Sequence, residues 1–541
     1  MTPTDNHAAV PSTFVRIAWI ILIFATLYLC YFHNLGAIGL VGPDEPRYAW
    51  VARDMAESGD WVTPRLYGNP WFEKPVLYYW GAASSFRLFG VSETAARLPS
   101  AICALLATLS MAWLAWKLYG AETARWLLLS LPTTVGMIGF SHAAAMDMPL
   151  TGTLTIAMVS ACVIVGLTRD DDSPVIPQTP WFALLFFGFF LGLAVLAKGP
   201  AAIILSGGAV FLWSAFTKRW RDALRCLHPV AIASFCLIAL PWYILCSRRN
   251  PDFFRIFIIE HNFKRFLTPE FQHVKPFWYY IPVVLIAFLP WTLALLSAAF
   301  FGCVRFARGT KFSSSSLFLL CWALFSLLFF SISKSKLPGY ILPAIPAISL
   351  LLASSYVQRT ARESKIFRWI QFGGGFLAVV VAALVPWMDV KPALSVGLII
   401  FAFGIANIIL AIHRRTTFLS LRLAYFCVAP VLLLLCFFNH LESDFFRRDP
   451  SGKTLATEVM MKQIPLEQIY TSNMNRGQQY SLDFYLHHET QQWDTREQKE
   501  GYLLLRWKNC RQIVQLPLVC ADESAQTNSS GWFIYRIRQQ N

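Results

Sequence analysis

Apolar runs long enough to cross a bilayer recur along most of this chain, and that feature decides what it can fold into. A hydrocarbon core about 30 Å thick takes roughly 20 apolar residues per helix. Such runs sit near 14–32, 97–117, 122–140, 149–167, 181–197, 201–216, 228–246, 278–303, 315–332, 338–356, 368–387, 393–412 and 421–440. Composition agrees: 56% of the 541 residues are hydrophobic and 14% charged, where a soluble chain carries about 25% charged residues. The expected fold is an all-α polytopic membrane protein with about thirteen transmembrane helices over 1–440. A small α/β domain over 441–541 follows, with strand-like runs at Tyr502–Arg506 and Trp532–Ile537.

Charge orients the bundle. Loops on the N-terminal side of the spans carry Lys117, Arg125, Lys218, Arg219, Arg221, Arg225, Arg305, Arg308 and Lys311, whereas short loops on the other side hold only Lys198, Lys334, Lys336 and Lys391. The excess of Lys and Arg marks the cytoplasmic side. That orientation puts the long loops 33–96 and 247–277, the turn 141–148 and the tail outside. Glu45–Ser58 and Val76–Phe89 in the first loop are amphipathic enough to lie in the interface. The tail balances twelve basic against twelve acidic side chains, so the net charge of +15 belongs to the membrane part. A basic membrane face suits anionic lipid or phosphate partners rather than nucleic acid, and the sequence contains no nucleic-acid module.

Ten of the twelve cysteines fall in or beside apolar runs, where a thiol behaves as a small hydrophobe. Cys510 and Cys520 stand apart in the polar tail, nine residues between them, and an oxidising compartment would join them.

The chemistry-bearing residues gather on the expected outer face. Gly42-Pro43-Asp44-Glu45-Pro46-Arg47-Tyr48 places two acids beside a proline turn. Phe72-Glu73-Lys74-Pro75 sets one acid and one base among aromatics, and Asp147 stands at the mouth of a span. Each has a plain structural reading, as helix-start acid, surface ion pair or cap. Together they are more telling, because ionisable groups near membrane depth are costly and tend to be functional. Cations on the same face run against the topogenic bias: Lys198, Arg248, Arg249, Lys264, Arg265, Lys334 and Lys336. Lys offers phosphate a point charge and Arg a fork. His261 beside Glu260, with Glu73, leaves a divalent cation open as a cofactor; the residues imply no other.

As a set these segments resemble the lipid-to-lipid branch of the GT-C glycosyltransferases. The resemblance is nearest to the 4-amino-4-deoxy-L-arabinose transferases that modify lipid A. It is carried by residues 43–48, Ser58-Gly59-Asp60-Trp61-Val62-Thr63-Pro64, 72–75, Glu260-His261 with Arg265-Phe266, Pro276-Phe277-Trp278-Tyr279-Tyr280, Leu289-Pro290-Trp291 and Lys334 to Leu342. It covers most of the membrane part and discriminates poorly among donor sugars. The resemblance implies a GT-C fold and an undecaprenyl-phosphate-linked sugar donor. It also implies transfer on the periplasmic face of a bacterial inner membrane, with lipid A or another glycolipid as acceptor and the bilayer as partner. By the same resemblance, the catalytic residues are Asp44, Asp147 and Glu73. The substrate-binding residues are Arg47, Tyr48, Lys74, Lys198, His261, Arg265, Lys334, Lys336 and Tyr340. The rival readings are a GT-C enzyme with a hydroxyl acceptor, of the protein O-mannosyltransferase type, and a lipid transporter or flippase. A transporter is expected to show paired repeats around a midplane site; this sequence shows no repeat.

Overall fold

The computed structural model describes residues 13–167, 181–264, 274–357, 450–494, 500–505, 518–522 and 532–539, with scattered positions between 372 and 431. Six of the described helices are long and apolar enough to cross a membrane: Glu93–Tyr119, Asp147–Ile164, Trp181–Lys198, Pro229–Arg249, Ser314–Ile332 and Pro338–Val357. Shorter apolar helices cover Arg16–Tyr31 and Ala201–Thr217. The expected spans 368–387, 393–412 and 421–440 lie, but for those scattered positions, outside the described residues, and Cys510 lies outside them too.

Two expected spans are corrected. The run 122–140 is broken into α5 (Ala121–Ser130) and α6 (Val135–Ser141), because Pro132 cannot continue a helix. The run 278–303 is likewise split, into Tyr280–Ala287 and Thr292–Ala307, around Pro290. The two breaks meet. The Val135 N–H donates to Leu289 O at 2.9 Å, and Trp291 Nε1 donates to Thr133 Oγ1 at 2.9 Å. Each break thus satisfies polar groups of the other, which is how irregular backbone survives inside a bundle.

The centre of the bundle is α7 (Asp147–Ile164), whose apolar window is 89% buried, against 22% for α11 (Pro229–Arg249). Around α7 pack α4 (Glu93–Tyr119), α8 (Trp181–Lys198) and α9 (Ala201–Thr217). Small residues let these helices approach closely: a Cβ on Gly188 of α8 would stand 2.1 Å from the Ala231 carbonyl oxygen of α11.

Above one end of the bundle lies a second layer. Its first half is α2 (Glu45–Ser58), a two-stranded ribbon of β1 (Arg65–Leu66) and β2 (Asn69–Pro70), and α3 (Leu77–Phe89). The expectation that α2 and α3 rest as amphipathic helices in the lipid interface is revised. Their apolar sides share a core with Ala144, Met146, Leu196, Trp242, Phe253 and Phe484, so protein covers them.

The tail supplies the other half. It holds helices Lys453–Met461 and Arg476–Leu486 beside a mixed sheet of order β4-β3-β5-β7-β6, where β3 is Ile469–Thr471, β4 Gln491–Gln492, β5 Gly501–Leu505, β6 Leu518–Asp522 and β7 Phe533–Gln539. β3 runs parallel to β4 and β5, while β7 pairs antiparallel with β5 and β6. The helix Arg476–Leu486, the tail helix, faces the first loop. Tyr485 OH accepts from Leu40 N at 2.9 Å and donates to Glu93 at 2.8 Å, and Ser481 Oγ donates to Leu40 O at 2.7 Å. Lys453 Nζ adds an ion pair to Glu93 at 2.7 Å, and Tyr67 OH donates to Asp483 at 2.7 Å. Loop and tail therefore lie on the same side of the bundle.

Candidate functional site

Asp44 occupies the position before α2 where an acid ordinarily accepts from the first free amides. It makes no such bond. Its carboxylate turns instead to Arg47 one helical turn on, with Nη2 at 2.6 Å. The same nitrogen lies 3.2 Å from Glu73 Oε2. Arg47 is deeply buried, its side chain 6% exposed, while that of Asp44 is 48% exposed. A buried guanidinium must be paired to be tolerated. The two acids pair it, and half of the Asp44 carboxylate remains open to a ligand.

Aromatic rings wall this cluster. The Arg47 guanidinium lies 5.3 Å from the Tyr48 ring centroid, 5.2 Å from Trp71 and 5.7 Å from Tyr480 of the tail helix. Such contacts hold a cation without neutralising it. Burial pushes the Tyr48 and Tyr79 hydroxyls well above the ordinary phenol value, so both stay neutral. Arg47 Nε, Trp71 Nε1 and Tyr79 OH are buried donors with no hydrogen-bond partner among the described residues.

Glu45, the neighbour of Asp44, does something else. Arg97 of α4 forks onto it, Nε at 3.0 Å and Nη2 at 2.8 Å, while its own oxygens also accept from Val41 N at 3.0 Å and Ala144 N at 2.7 Å. Arg97 further donates to Leu35 O, Ile38 O and Gly39 O. The expectation that Glu45 merely favours a helix start is therefore corrected: Glu45 pins the acid loop to α4 and to the turn leading to Asp147.

A second cluster follows that turn. Asp147 opens α7 and forms an ion pair with Lys198 at the end of α8; the ammonium stands 4.3 Å from the Tyr340 ring centroid. Both ion-pair partners are largely buried. Lys336 is buried too and donates to Ser333 O at 2.5 Å, whereas Lys334 is exposed. Burial, then the neighbouring Lys334, pulls the Lys336 ammonium below the ordinary lysine value.

The remaining expected residues are distributed around these two clusters. Lys74 is half-buried beside Glu73. His261 lies in the π-helical segment Arg255–Lys264; Phe253, two residues before it, packs on Phe72, ring centroids 5.3 Å apart. Glu260, expected beside His261 for a cation, pairs with Arg255 at 2.6 Å. No three His, Cys, Asp or Glu side chains converge on a metal position among the described residues. Arg265 lies outside the described residues.

The stretch 58–64 proves structural. Asp60 accepts from Val62 N and Thr63 N and pairs with Arg249 at 3.2 Å, and Trp242 Nε1 donates to Val62 O at 3.0 Å. Arg249, a candidate phosphate contact from sequence, thus serves as a brace. Sequence reasoning missed Arg97 and Tyr480. An arginine just inside an apolar span was the available signal for the first; nothing local marked the tail residue.

The family described as dolichyl-phosphate-mannose-protein mannosyltransferase matches residues 17–257. An undecaprenyl phosphate-alpha-4-amino-4-deoxy-L-arabinose arabinosyl transferase of Edwardsiella ictaluri is 35% identical over 353 residues, 64% of this chain and 61% of the relative. One of Aeromonas salmonicida is 32% identical over 71% of this chain and 70% of the relative. The matched stretch thus spans a little under two thirds of the Edwardsiella protein. The fold resembles the crystal structure of ArnT from Cupriavidus metallidurans bound to undecaprenyl phosphate, with a TM-score of 0.75 and 21% identity over 97% of this chain and 98% of that one.

Proposed function

Since the chain belongs to the family of undecaprenyl phosphate-alpha-4-amino-4-deoxy-L-arabinose arabinosyl transferases, we propose that it transfers this pentose from undecaprenyl phosphate to a phosphate of lipid A. The half-exposed Asp44 carboxylate, held by a buried Arg47 that also pairs with Glu73, carries the reading. The setting is the periplasmic face of a bacterial inner membrane, with the first loop and the tail outside. The charge asymmetry of the loops supports that orientation.

In the reaction the bond from the sugar's anomeric carbon to the undecaprenyl phosphate oxygen breaks, and a bond to an acceptor oxygen forms. Positive charge builds on the ring and negative charge on the leaving phosphate. Preorganised carboxylates stabilise the first and ammonium or guanidinium groups the second. Asp44, with Glu73 behind Arg47, is assigned to the ring. Lys74, Lys198, Lys334, Lys336 and Arg265, with Tyr340 beside Lys198, are assigned to phosphate. The Asp147–Lys198 pair joins the two roles, since Asp147 orients the lysine. A phosphate acceptor is already ionised at neutral pH, so no general base is required and Asp44 steadies charge. Tyr48 packs Arg47, and His261 is assigned to substrate binding.

The match to a protein mannosyltransferase family favours one alternative, a hydroxyl acceptor, for which Asp44 would have to take a proton. One experiment tests both readings. Purified protein is given undecaprenyl phosphate-linked aminoarabinose with lipid A, or with lipid A lacking its phosphates, and the products are weighed by mass spectrometry. A mass gain of one aminoarabinose on phosphorylated lipid A alone is expected. A gain on both acceptors would favour the hydroxyl route, and none on either would dismiss the assignment.

A further inference from the structure

The tail helix does more than cover the acid loop. Its first turn sits directly on the segment bearing Asp44: a Cβ on Gly477 would stand 2.8 Å from the Gly42 carbonyl carbon and 3.1 Å from Pro43 N. No other residue type allows that approach without moving the backbone. The turn is fixed from both sides. Asn475 caps it by accepting from Gln478 N at 2.9 Å, and Tyr480 packs against Tyr67 of the first loop, ring centroids 6.3 Å apart.

Two cations share the Tyr480 ring. The Arg47 guanidinium lies 5.7 Å from its centroid and that of Arg476 5.3 Å. Arg476 Nε also donates to the Tyr480 hydroxyl at 3.1 Å. Arg47 is committed to Asp44 and Glu73, but Arg476 is exposed and, among the described residues, forms no ion pair with a carboxylate. The first guanidinium has its anions in Asp44 and Glu73, whereas the second has none among the described residues and is left for an anionic group from outside. Arg47 Nε, on the other guanidinium that packs on this ring, is buried with no hydrogen-bond partner among the described residues.

We infer that the tail completes the reaction site: Arg476 binds the anionic phosphate of the acceptor lipid, and Tyr480 is a positioning residue that holds Arg47 and Arg476 together. This rests on the transferase reading above and adds to it the role of the tail. Arg476 is on the surface, so its replacement leaves the fold intact, and its effect falls on the acceptor rather than on the donor. Tyr480 acts through Arg47, so its effect falls on turnover. The ring rather than the hydroxyl matters there, which separates Tyr480→Phe from Tyr480→Leu.

The test is binding and turnover together, on the full chain in detergent. Binding of phosphorylated and dephosphorylated lipid A is titrated for the wild type, Arg476→Ala and Arg476→Lys. Arg476→Ala should weaken binding of phosphorylated lipid A about tenfold, as expected for a charge-assisted contact, with Arg476→Lys recovering part of it. Neither should change binding of the dephosphorylated lipid or the KM for the sugar donor. Tyr480→Leu should lower kcat more than acceptor KM, and Tyr480→Phe should keep most of kcat. Equal binding of phosphorylated lipid A by wild type and Arg476→Ala would overturn the inference while leaving the transferase reading standing. A wild type blind to the phosphates would overturn the two together.

Discussion

The helix bundle and the layer above it are held together by different physics. Within the bundle, helices meet through small residues and ring packing, as where Gly188 of α8 lies against the Ala231 carbonyl. Between the first loop and the tail, charged and hydroxyl groups make contacts: Lys453 and Tyr485 on Glu93 and Tyr67 on Asp483, while Arg97 on Glu45 ties the same loop to α4. A shape error breaks the first kind, and loss of a partner breaks the second. The contrast explains how the neighbours Asp44 and Glu45 differ in purpose. Glu45 faces down into the bundle and is spent on structure, while Asp44 faces the layer above and keeps half its surface open.

Four changes sharpen that contrast, beginning with the largest. Glu45→Gln leaves Arg97 buried without its charge partner, a loss of about 3–5 kcal/mol. It should reduce the yield of folded protein and lower its melting temperature in detergent. Stability unchanged within about 0.5 kcal/mol would show that the acid loop is not anchored by this pair.

Asp483 ranks second, through pH. Burial raises its carboxyl from 3.8 to about 6, against the opposing bonds from Thr490 and Tyr67. A carboxyl raised on folding adds stability that is full below pH 3.8 and is lost as pH rises through about 6. The difference is at most about 3 kcal/mol at 1.36 kcal/mol per unit. Docking of the tail, followed by protease resistance, should weaken between pH 4 and 6, and Asp483→Asn should flatten the profile. An unchanged slope in the variant would remove Asp483 from the account.

Gly188→Leu comes third. Forcing a side chain against the Ala231 carbonyl should cost about 1–3 kcal/mol or more, with no change in pH or salt response. Salt sensitivity in this variant would blur the distinction between the two regions. Asp147→Asn should have the smallest effect on stability, because this pair is more exposed than Arg97–Glu45 and the Lys198 ammonium keeps its place on Tyr340. Transfer should nevertheless fall by about tenfold, about 1.4 kcal/mol at the transition state. Full activity in that variant would make the Asp147–Lys198 pair purely structural.

The bundle was legible because period and length are local properties: 181–197 and 315–332 return as Trp181–Lys198 and Ser314–Ile332. The two broken spans were not, since hydropathy averages over a proline and cannot see that Val135 and Leu289 satisfy each other. In the site, Asp44, Arg47 and Glu73 are named through the family resemblance that their segments carry, and they do converge. What each acid does could not be read, because it depends on partners far along the chain. Glu45 is claimed by Arg97, 52 residues away, Arg249 by Asp60, 189 residues away, and the ring on Arg47 comes from the tail.

The central claim is that Asp44 is the acid left for chemistry while its neighbour holds the fold. The direct measurement is the transfer rate of folded Asp44→Asn protein with undecaprenyl phosphate-linked aminoarabinose and lipid A, alongside its melting temperature. The account predicts a fall of at least about 100-fold, about 2.7 kcal/mol of transition-state stabilisation, with melting close to wild type. A variant that melts normally and transfers at near wild-type rate would contradict it.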